Sequence, residues 1–231
     1  MAHVVTVDLA RVPLRTLHAQ LHGLSPDTNT TSWQIVNPRG QHSVAVGLNV
    51  PIEVMVDGHV GYYAAGMNAL ARVSINGNAG PGVAENMMSG EVCVAGDASM
   101  AAGAAGCGGL LVIQGNAGAR CGISMKGIDI AVRGSVGHMS AFMAQEGNLV
   151  VCGDAGDALG DSLYEARIFV RGRVASLGAD CEEKPMEGVE RAILQDVLAR
   201  ARFDDMNPAD FRLYGSARRL YHFHVDNAHA Y

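Results

Sequence analysis

Hydrophobic and small residues recur along this chain with a period of 19 residues between positions 52 and 177. A glycine occupies the same place in every period. Valine, isoleucine or leucine stands two and four residues before it, so two side chains of a short strand face the same way. Self-similarity at a fixed period is typical of a solenoid. The recurrent glycines, which we expect to be structural corner residues, are Gly58, Gly77, Gly96, Gly115, Gly134, Gly153 and Gly172.

The length of the period selects the kind of solenoid. Nineteen residues are too few for the two packed helices of a helical repeat, whereas they fit one turn of a parallel β-helix. Coils stacked about 4.8 Å apart give a rod roughly 30 Å long. The sequence therefore predicts an all-β fold, a single-stranded right-handed parallel β-helix of about seven 19-residue coils. At its corners glycine permits a positive φ or a close approach of backbone.

The residues before the repeat predict an N-terminal cap or docking segment, residues 1–41. Residues 4–7 have the alternation of a short strand, and residues 32–36 that of a second one. Between them, Pro13 begins a predicted helix whose Leu14, Leu17 and Leu21 share one face, and Gly23 ends it. The β-helix domain then covers residues 42–181, with an irregular first coil over 42–50.

Residues 182–231 predict a C-terminal helix and a tail that contacts a partner. The helix is expected over residues 189–202, with Val189, Ile193 and Val197 on one stripe. The tail is the most aromatic and basic stretch of an otherwise aromatic-poor chain. It either caps the rod or lies against a partner. Its candidate interface residues are Arg218, Arg219, Tyr221, His222 and His224.

Composition narrows the classes of function. A formal net charge of −6 argues against a nucleic-acid partner. The sequence has no run of 18 apolar residues and no signal-peptide pattern, so we expect a cytoplasmic protein without a membrane span. The five cysteines fall at five different phases of the repeat, which disfavours disulfides, zinc and Fe–S ligation within the rod.

No group of residues in this sequence has the spacing of a catalytic or metal-binding site. The position after each glycine is aspartate in only two of seven coils, so we expect a ladder of corner side chains rather than calcium sites. Those two, Asp97 and Asp154, lie three coils or about 14 Å apart, whereas glycosidase carboxylates need about 5 to 9.5 Å. His138 and Asp157 are offset by one coil and are expected to form a corner hydrogen bond. We predict no catalytic, cofactor-binding or metal-binding residue.

The coil motif resembles the GXGXG domain at the C-terminus of the glutamate synthase large subunit. Ile75-Asn-Gly-Asn-Ala-Gly80 and Ile113-Gln-Gly-Asn-Ala-Gly118 carry that resemblance. The flanks, such as Leu220-Tyr-His-Phe-His-Val-Asp226, are similar to the stand-alone form of this domain, as in the B subunit of N-methylglutamate synthase.

The resemblance implies a subunit of an enzyme complex with no catalytic residue of its own. Its partners in a hetero-oligomer would be an amidotransferase-like subunit and a subunit that binds FMN and an Fe–S cluster. N-methylglutamate synthase converts glutamate and methylamine to N-methylglutamate and ammonia. In such a complex the β-helix positions the other two subunits.

Three alternatives stay open at this point. One is the β-helix subunit of a split glutamate synthase. Another is the related C subunit of formylmethanofuran dehydrogenase. A third, of a different class, is a self-sufficient β-helix carbohydrate-active enzyme or adhesin, which would be secreted.

Overall fold

Each repeat contributes one short strand that pairs in parallel with the strand of the next coil. The computed structural model of the protein describes residues 4–29 and 31–220. From Glu53 to Val170 the paired residues are 19 apart, as in Val54 with Val73, except at a register shift where Lys126 pairs with Glu146. The predicted parallel β-solenoid of about seven 19-residue turns is therefore confirmed.

Eleven strands form a single sheet within the described residues, in the order β1 to β9, then β11, then β10. The first nine are parallel, whereas β11 is antiparallel to both of its neighbours. Two helices are found, α1 at Leu14–His22 and α2 at Gly188–Arg200. The strands are β1 Val4–Asp8, β2 Ser32–Val36, β3 Glu53–Asp57, β4 Arg72–Ile75, β5 Glu91–Val94, β6 Leu110–Ile113, β7 Lys126–Val132, β8 Glu146–Val151, β9 Arg167–Val170, β10 Cys181–Lys184 and β11 Arg212–Ser216.

The strand residues two and four places before each glycine fill the interior of the rod. Val73, Ile75, Val92 and Val94 are all at most 1% exposed. Full burial of one such side chain contributes roughly 1.5–3 kcal/mol. A second column of paired residues, from Val60 through alanines and valines to Val174, closes each coil on another side.

Three positions in each coil have a left-handed backbone, and most of them are not glycine. They lie two residues apart, with φ between 51° and 70°. Their amides bond alternately to the two neighbouring coils: Tyr63 N donates to Pro81 O, and Ala65 N donates to Val44 O. This pattern has no counterpart in the predictions from sequence. The triplets are Ser43, Ala45, Gly47; Tyr63, Ala65, Met67; Gly82, Ala84, Asn86; Ala101, Gly103, Ala105; Arg120, Gly122, Ser124; Met139, Ala141, Met143; and Ala158, Gly160, Ser162.

The recurrent glycines are needed mainly for close approach. Of the seven, only Gly58 has a positive φ, +135°. A Cβ built on Gly77 would lie 2.6 Å from the carbonyl of Gly58, and one on Gly115 would lie 2.7 Å from the Gly96 oxygen. The prediction of a positive φ is therefore wrong for the other six glycines. Glycine is needed there because the neighbouring coil leaves no room for a Cβ.

Helix α1 covers the N-terminal end of the rod. It follows Pro13 and ends at Gly23, within one residue of the predicted bounds. Leu17 and Leu21 are fully buried and belong to the same hydrophobic core as Val44 of the irregular first coil.

The C-terminal residues return to the sheet and cover part of its outer face. Strand β11 inserts between β9 and β10. Helix α2 buries Leu194, Val197 and Leu198 against outward-facing side chains of β6 to β9, which include Val112 and Phe169. The predicted buried position of Val189 is wrong, since this residue is 67% exposed.

Candidate interaction surface

A continuous ladder of side-chain hydrogen bonds runs along one corner of the rod. After each of the first six recurrent glycines, the side chain of the next residue accepts a hydrogen bond from the main-chain amide at the same place one coil later. Asn78 Oδ1 accepts from Asp97 N at 3.0 Å, and Asp97 Oδ1 accepts from Asn116 N at 2.7 Å. The ladder continues through Ser135 and Asp154. This arrangement is the corner ladder that the sequence analysis favoured over calcium sites.

The glycine before each ladder residue makes room for the ladder. A Cβ on Gly115 would collide with Asp97 Oδ1, and one on Gly134 would collide with Asn116 Oδ1. The 19-residue glycine and the residue after it therefore form one structural unit. Both aspartates of the column, Asp97 and Asp154, accept hydrogen bonds from main-chain amides, so their role is structural.

The expected hydrogen bond between His138 and Asp157 is not present in the described part of the chain. Asp157 Oδ1 accepts instead from Ser176 Oγ at 3.1 Å. The His138 side chain is exposed.

The cysteines are separate from one another, as their phases predicted. All five are free thiols. Burial raises the pKa of Cys121 to about 12 and that of Cys152 to about 11, so neither forms the thiolate needed for nucleophilic attack or metal binding. Over residues 4–29 and 31–220, no group of three His, Cys, Asp or Glu side chains is arranged to hold a metal ion.

An open cleft of about 370 Å³ lies at the C-terminal end of the rod. Side chains of both charges line it, among them Arg167, Lys184, Glu190 and Arg218. Glu190 Oε2 is buried and has no hydrogen-bond partner among the described residues. Ordinary small-molecule pockets are largely apolar and enclosed, so this charged, open cleft is better suited to a protein surface.

Two of the five candidate interface residues border this end of the rod. Arg218 Nη2 donates to Glu165 Oε2 at 2.7 Å, and both side chains are about two-thirds exposed. The Arg219 amide donates to Asp180 Oδ1 at 2.8 Å. Burial acts to raise the pKa of Asp180, but the hydrogen bonds from Arg219 N and Ser216 Oγ outweigh it and lower that pKa. Tyr221, His222 and His224 lie outside the described residues.

The sequence analysis did not predict that helix α2 covers part of the outer face of the sheet. The repeat nevertheless contains a pattern that indicates where this cover lies. The position three before each glycine points outward. It is Met55 and Ser74 in the first coils and becomes Val112, Val150 and Phe169 in later ones. Helix α2 covers only the later coils, where this column is apolar.

Exposed apolar side chains also gather at one corner of the early coils. Met67, Leu70 and Met88 are each about half exposed. Met88 N donates to Asn68 O of the coil before it, so these residues are neighbours. We call Met67, Leu70 and Met88 the apolar corner. Exposed clustered apolar side chains are common at protein–protein contacts.

Among the described residues, no helix combines the length and the apolar character that crossing a membrane would require.

Comparison with known proteins gives one close relative. Protein GlxC from Rhizobium meliloti (strain 1021) is 60% identical over 225 residues, which cover 97% of this chain and 99% of that protein. No protein-family model matches the chain. No solved structure matches it either.

Proposed function

The chain belongs to the Protein GlxC family, and from this premise we propose that it is the non-catalytic β-helix subunit of a glutamate synthase-like complex. The resemblance of its coils to the GXGXG domain supplies the type of complex. The proposed finer assignment is N-methylglutamate synthase, which forms N-methylglutamate and ammonia from glutamate and methylamine.

The observation that carries the proposal is the way the rod is built. Its interior is filled by stacked side chains such as Val73 and Ile113, and its polar corner residues are hydrogen-bonded to backbone. Such packing gives a stiff body with little free functional chemistry. A stiff body of fixed length suits a subunit that sets the distance between two active sites on other chains.

We propose two partners for this subunit. One is amidotransferase-like, and the other binds FMN and an Fe–S cluster. We place both cofactors in that partner, and the dispersed cysteines of this chain offer no Fe–S ligand set. The complex would act in the cytoplasm.

The proposal is tested by purification of the tagged chain from its native source. We expect a flavin-containing protein and an amidotransferase-like protein to purify with it, and flavin absorbance to follow the complex. The isolated chain should be colourless and should release no ammonia from glutamate and methylamine. A folded chain that co-purifies with neither partner, or that turns over these substrates alone, would refute the proposal.

The tail is the surface that we expect to meet a partner. Charge reversal of Arg218 and Arg219 to glutamate, or Tyr221→Glu or His224→Glu, should reduce the amount of flavoprotein recovered by at least tenfold. Arg120→Glu is the matched control, because Arg120 is exposed in the middle of the rod. Each variant should keep the wild-type thermal melting temperature. Loss of folding in the tail variants would assign these residues to a cap instead.

Formation of N-methylglutamate separates the finer assignment from a split glutamate synthase. The purified complex is given glutamate with methylamine, or glutamine with 2-oxoglutarate and a reductant. N-methylglutamate as the product supports the finer assignment. Glutamate formed only from the second mixture would reject it but keep the broader one.

A further inference from the structure

Strand β1 is an unpaired edge of the sheet. It pairs with β2 on one side, and no other described strand lies on its opposite side. Leu9 N donates to Val36 O, so by strand alternation the odd-numbered residues bond to β2. The amides and carbonyls of Val4 and Thr6, and the amide of Asp8, therefore point away from the sheet.

The two edges of the sheet differ in how they resist further pairing. Edge strand β10 contains Glu182, Glu183 and Lys184, and Pro185 follows it. Charged side chains and proline are the usual protection of an exposed edge. Strand β1, with the sequence Val-Val-Thr-Val-Asp, has no proline and a single charged residue, Asp8, at its end. This difference indicates that another strand covers the β1 edge.

The rim beside β1 is also apolar and incompletely buried. Val4 is 50% exposed. Val5, Val12 and Leu14 are only partly buried where they pack against the end of the core. A strand added at this edge, with apolar side chains at the positions that face inward, would complete the burial of Val5 while taking up the free main-chain groups.

We propose that a second copy of this chain supplies that strand, by antiparallel pairing of β1 with β1 about a twofold axis at Thr6. A centre at Thr6 is the one that gives all five strand residues a facing partner. It places Val5 of one copy opposite Val7 of the other on the inward side. Facing β-branched side chains stabilise antiparallel pairs, and the free edge groups of Thr6 in the two copies bond to each other. The same patch serves both copies, as a twofold interface requires.

The pairing is expected to be reversible. Full pairing of the two strands would form about six main-chain hydrogen bonds, two of them to the Asp8 carbonyls. Because the Asp8 carbonyl already accepts from Arg11 N and Val12 N, about four of these bonds remain. A single short strand pair buries less than the roughly 1,600 Å² of a standard stable interface. We therefore expect dissociation in the micromolar range, roughly 1–100 µM.

The test uses charges at the twofold axis and the purified full-length chain. At roughly 100 µM the wild type should have the mass of a dimer by light scattering or sedimentation. Thr6→Lys and Thr6→Glu each place like charges opposite each other across the axis, and each variant should be a monomer. An equimolar mixture of the two variants should recover the dimer, because the facing charges are then opposite.

Met55→Lys is the matched control. Met55 is aligned with Thr6 through Gln34, two strands further into the sheet. It points to the same face but lies about 10 Å from the edge, so its variant should dimerise like the wild type. All variants should retain the wild-type circular dichroism spectrum.

Several outcomes would overturn the proposal. The first is a wild type that stays monomeric at that concentration, as expected if β1 instead accepts a strand from a different protein. The second is dimerisation of Thr6→Lys equal to that of the wild type. A mixture of the two Thr6 variants that remains monomeric would equally reject pairing at this residue. None of these outcomes bears on the proposed enzyme complex.

Discussion

The main-chain amide of Asn116 donates a 2.7 Å hydrogen bond to Oδ1 of Asp97, the residue at the same place one coil earlier. The Asn116 side chain amide also donates to that oxygen, at 3.2 Å. Asn116 then accepts from the amide of Ser135. Each coil thus presents an acceptor for the next coil, and the preceding glycine leaves space for it.

Removal of one acceptor should destabilise the rod locally. Asp97→Ala deletes the acceptor for the Asn116 amide, and we expect a loss of about 1–2 kcal/mol in the free energy of unfolding. Asp97→Asn keeps an acceptor oxygen and should lose less than half as much. Urea unfolding of both variants measures the difference. Equal losses would mean that charge, rather than the hydrogen bond, matters at this position.

Gly115→Val should be far more damaging than a valine at an ordinary glycine. Its Cβ would meet Asp97 Oδ1 and the Gly96 oxygen, and overpacking of this kind costs about 1–3 kcal/mol or more. For a chain of this size, 1–3 kcal/mol corresponds to a fall of about 2–12 °C in melting temperature. Gly188→Val is the control, because a Cβ there has nothing within 4 Å. Similar melting temperatures for the two variants would contradict the close-approach argument.

The period alone was enough to predict the coil, its parallel pairing and its buried valines. Identical coils stack only if the same side chain returns to the same place, so periodicity in sequence translates directly into register. The left-handed positions could not be predicted in this way. Residues such as Tyr63, Arg120 and Met139 do not favour that conformation, and the hydrogen bonds to both neighbouring coils impose it.

The C-terminal helix was predicted, but only part of its contact surface was. Its period places Val189 on the same stripe as Val197. However, Val189 lines an open pocket that it shares with Asp129 and Asn148, and these two are hydrogen-bonded to each other. A polar pair offers no apolar burial. For the candidate interface, the sequence identified Arg218 and Arg219 by composition, but it could not show that Arg218 borders a charged cleft.

Relief of left-handed strain should stabilise the protein. Arg120 has φ +58° and an exposed side chain. Arg120→Gly removes a conformational cost of about 1–2 kcal/mol, offset by about 0.4–1 kcal/mol of added freedom in the unfolded chain. We expect a net gain of up to about 1.6 kcal/mol. Arg120→Val should instead lose stability, and a gain for valine would exclude strain as the cause.

Acid should destabilise the N-terminal cap through His18. Burial lowers the pKa of His18 below its ordinary value of 6.5, and the nearby His22 lowers it further. As the pH falls below 6.5, the unfolded chain therefore takes up this proton first. Stability drops until the pH passes the lower pKa of the folded state. His18→Gln should reduce this loss between pH 7.5 and 5.5 in urea unfolding. Parallel pH profiles for the variant and the wild type would remove His18 from the explanation.

Two substitutions on helix α2 test whether the helix is part of the stable body of the rod. Leu194 is fully buried against the outer face of the sheet, whereas Val189, just over one turn earlier, is 67% exposed. Leu194→Ala leaves a cavity between helix and sheet, so we expect a loss of about 2–5 kcal/mol in the free energy of unfolding. Val189→Ala should change it by less than about 0.5 kcal/mol.

The shape of the unfolding transition adds a second criterion. If α2 and the coils unfold together, Leu194→Ala lowers the midpoint of a single transition seen by both circular dichroism and Trp33 fluorescence. Trp33 lies on β2, far along the sheet from α2, so its signal reports the N-terminal coils. A fluorescence transition that Leu194→Ala leaves unchanged would mean that the helix detaches by itself. The covered half of the outer face would then be open to a partner.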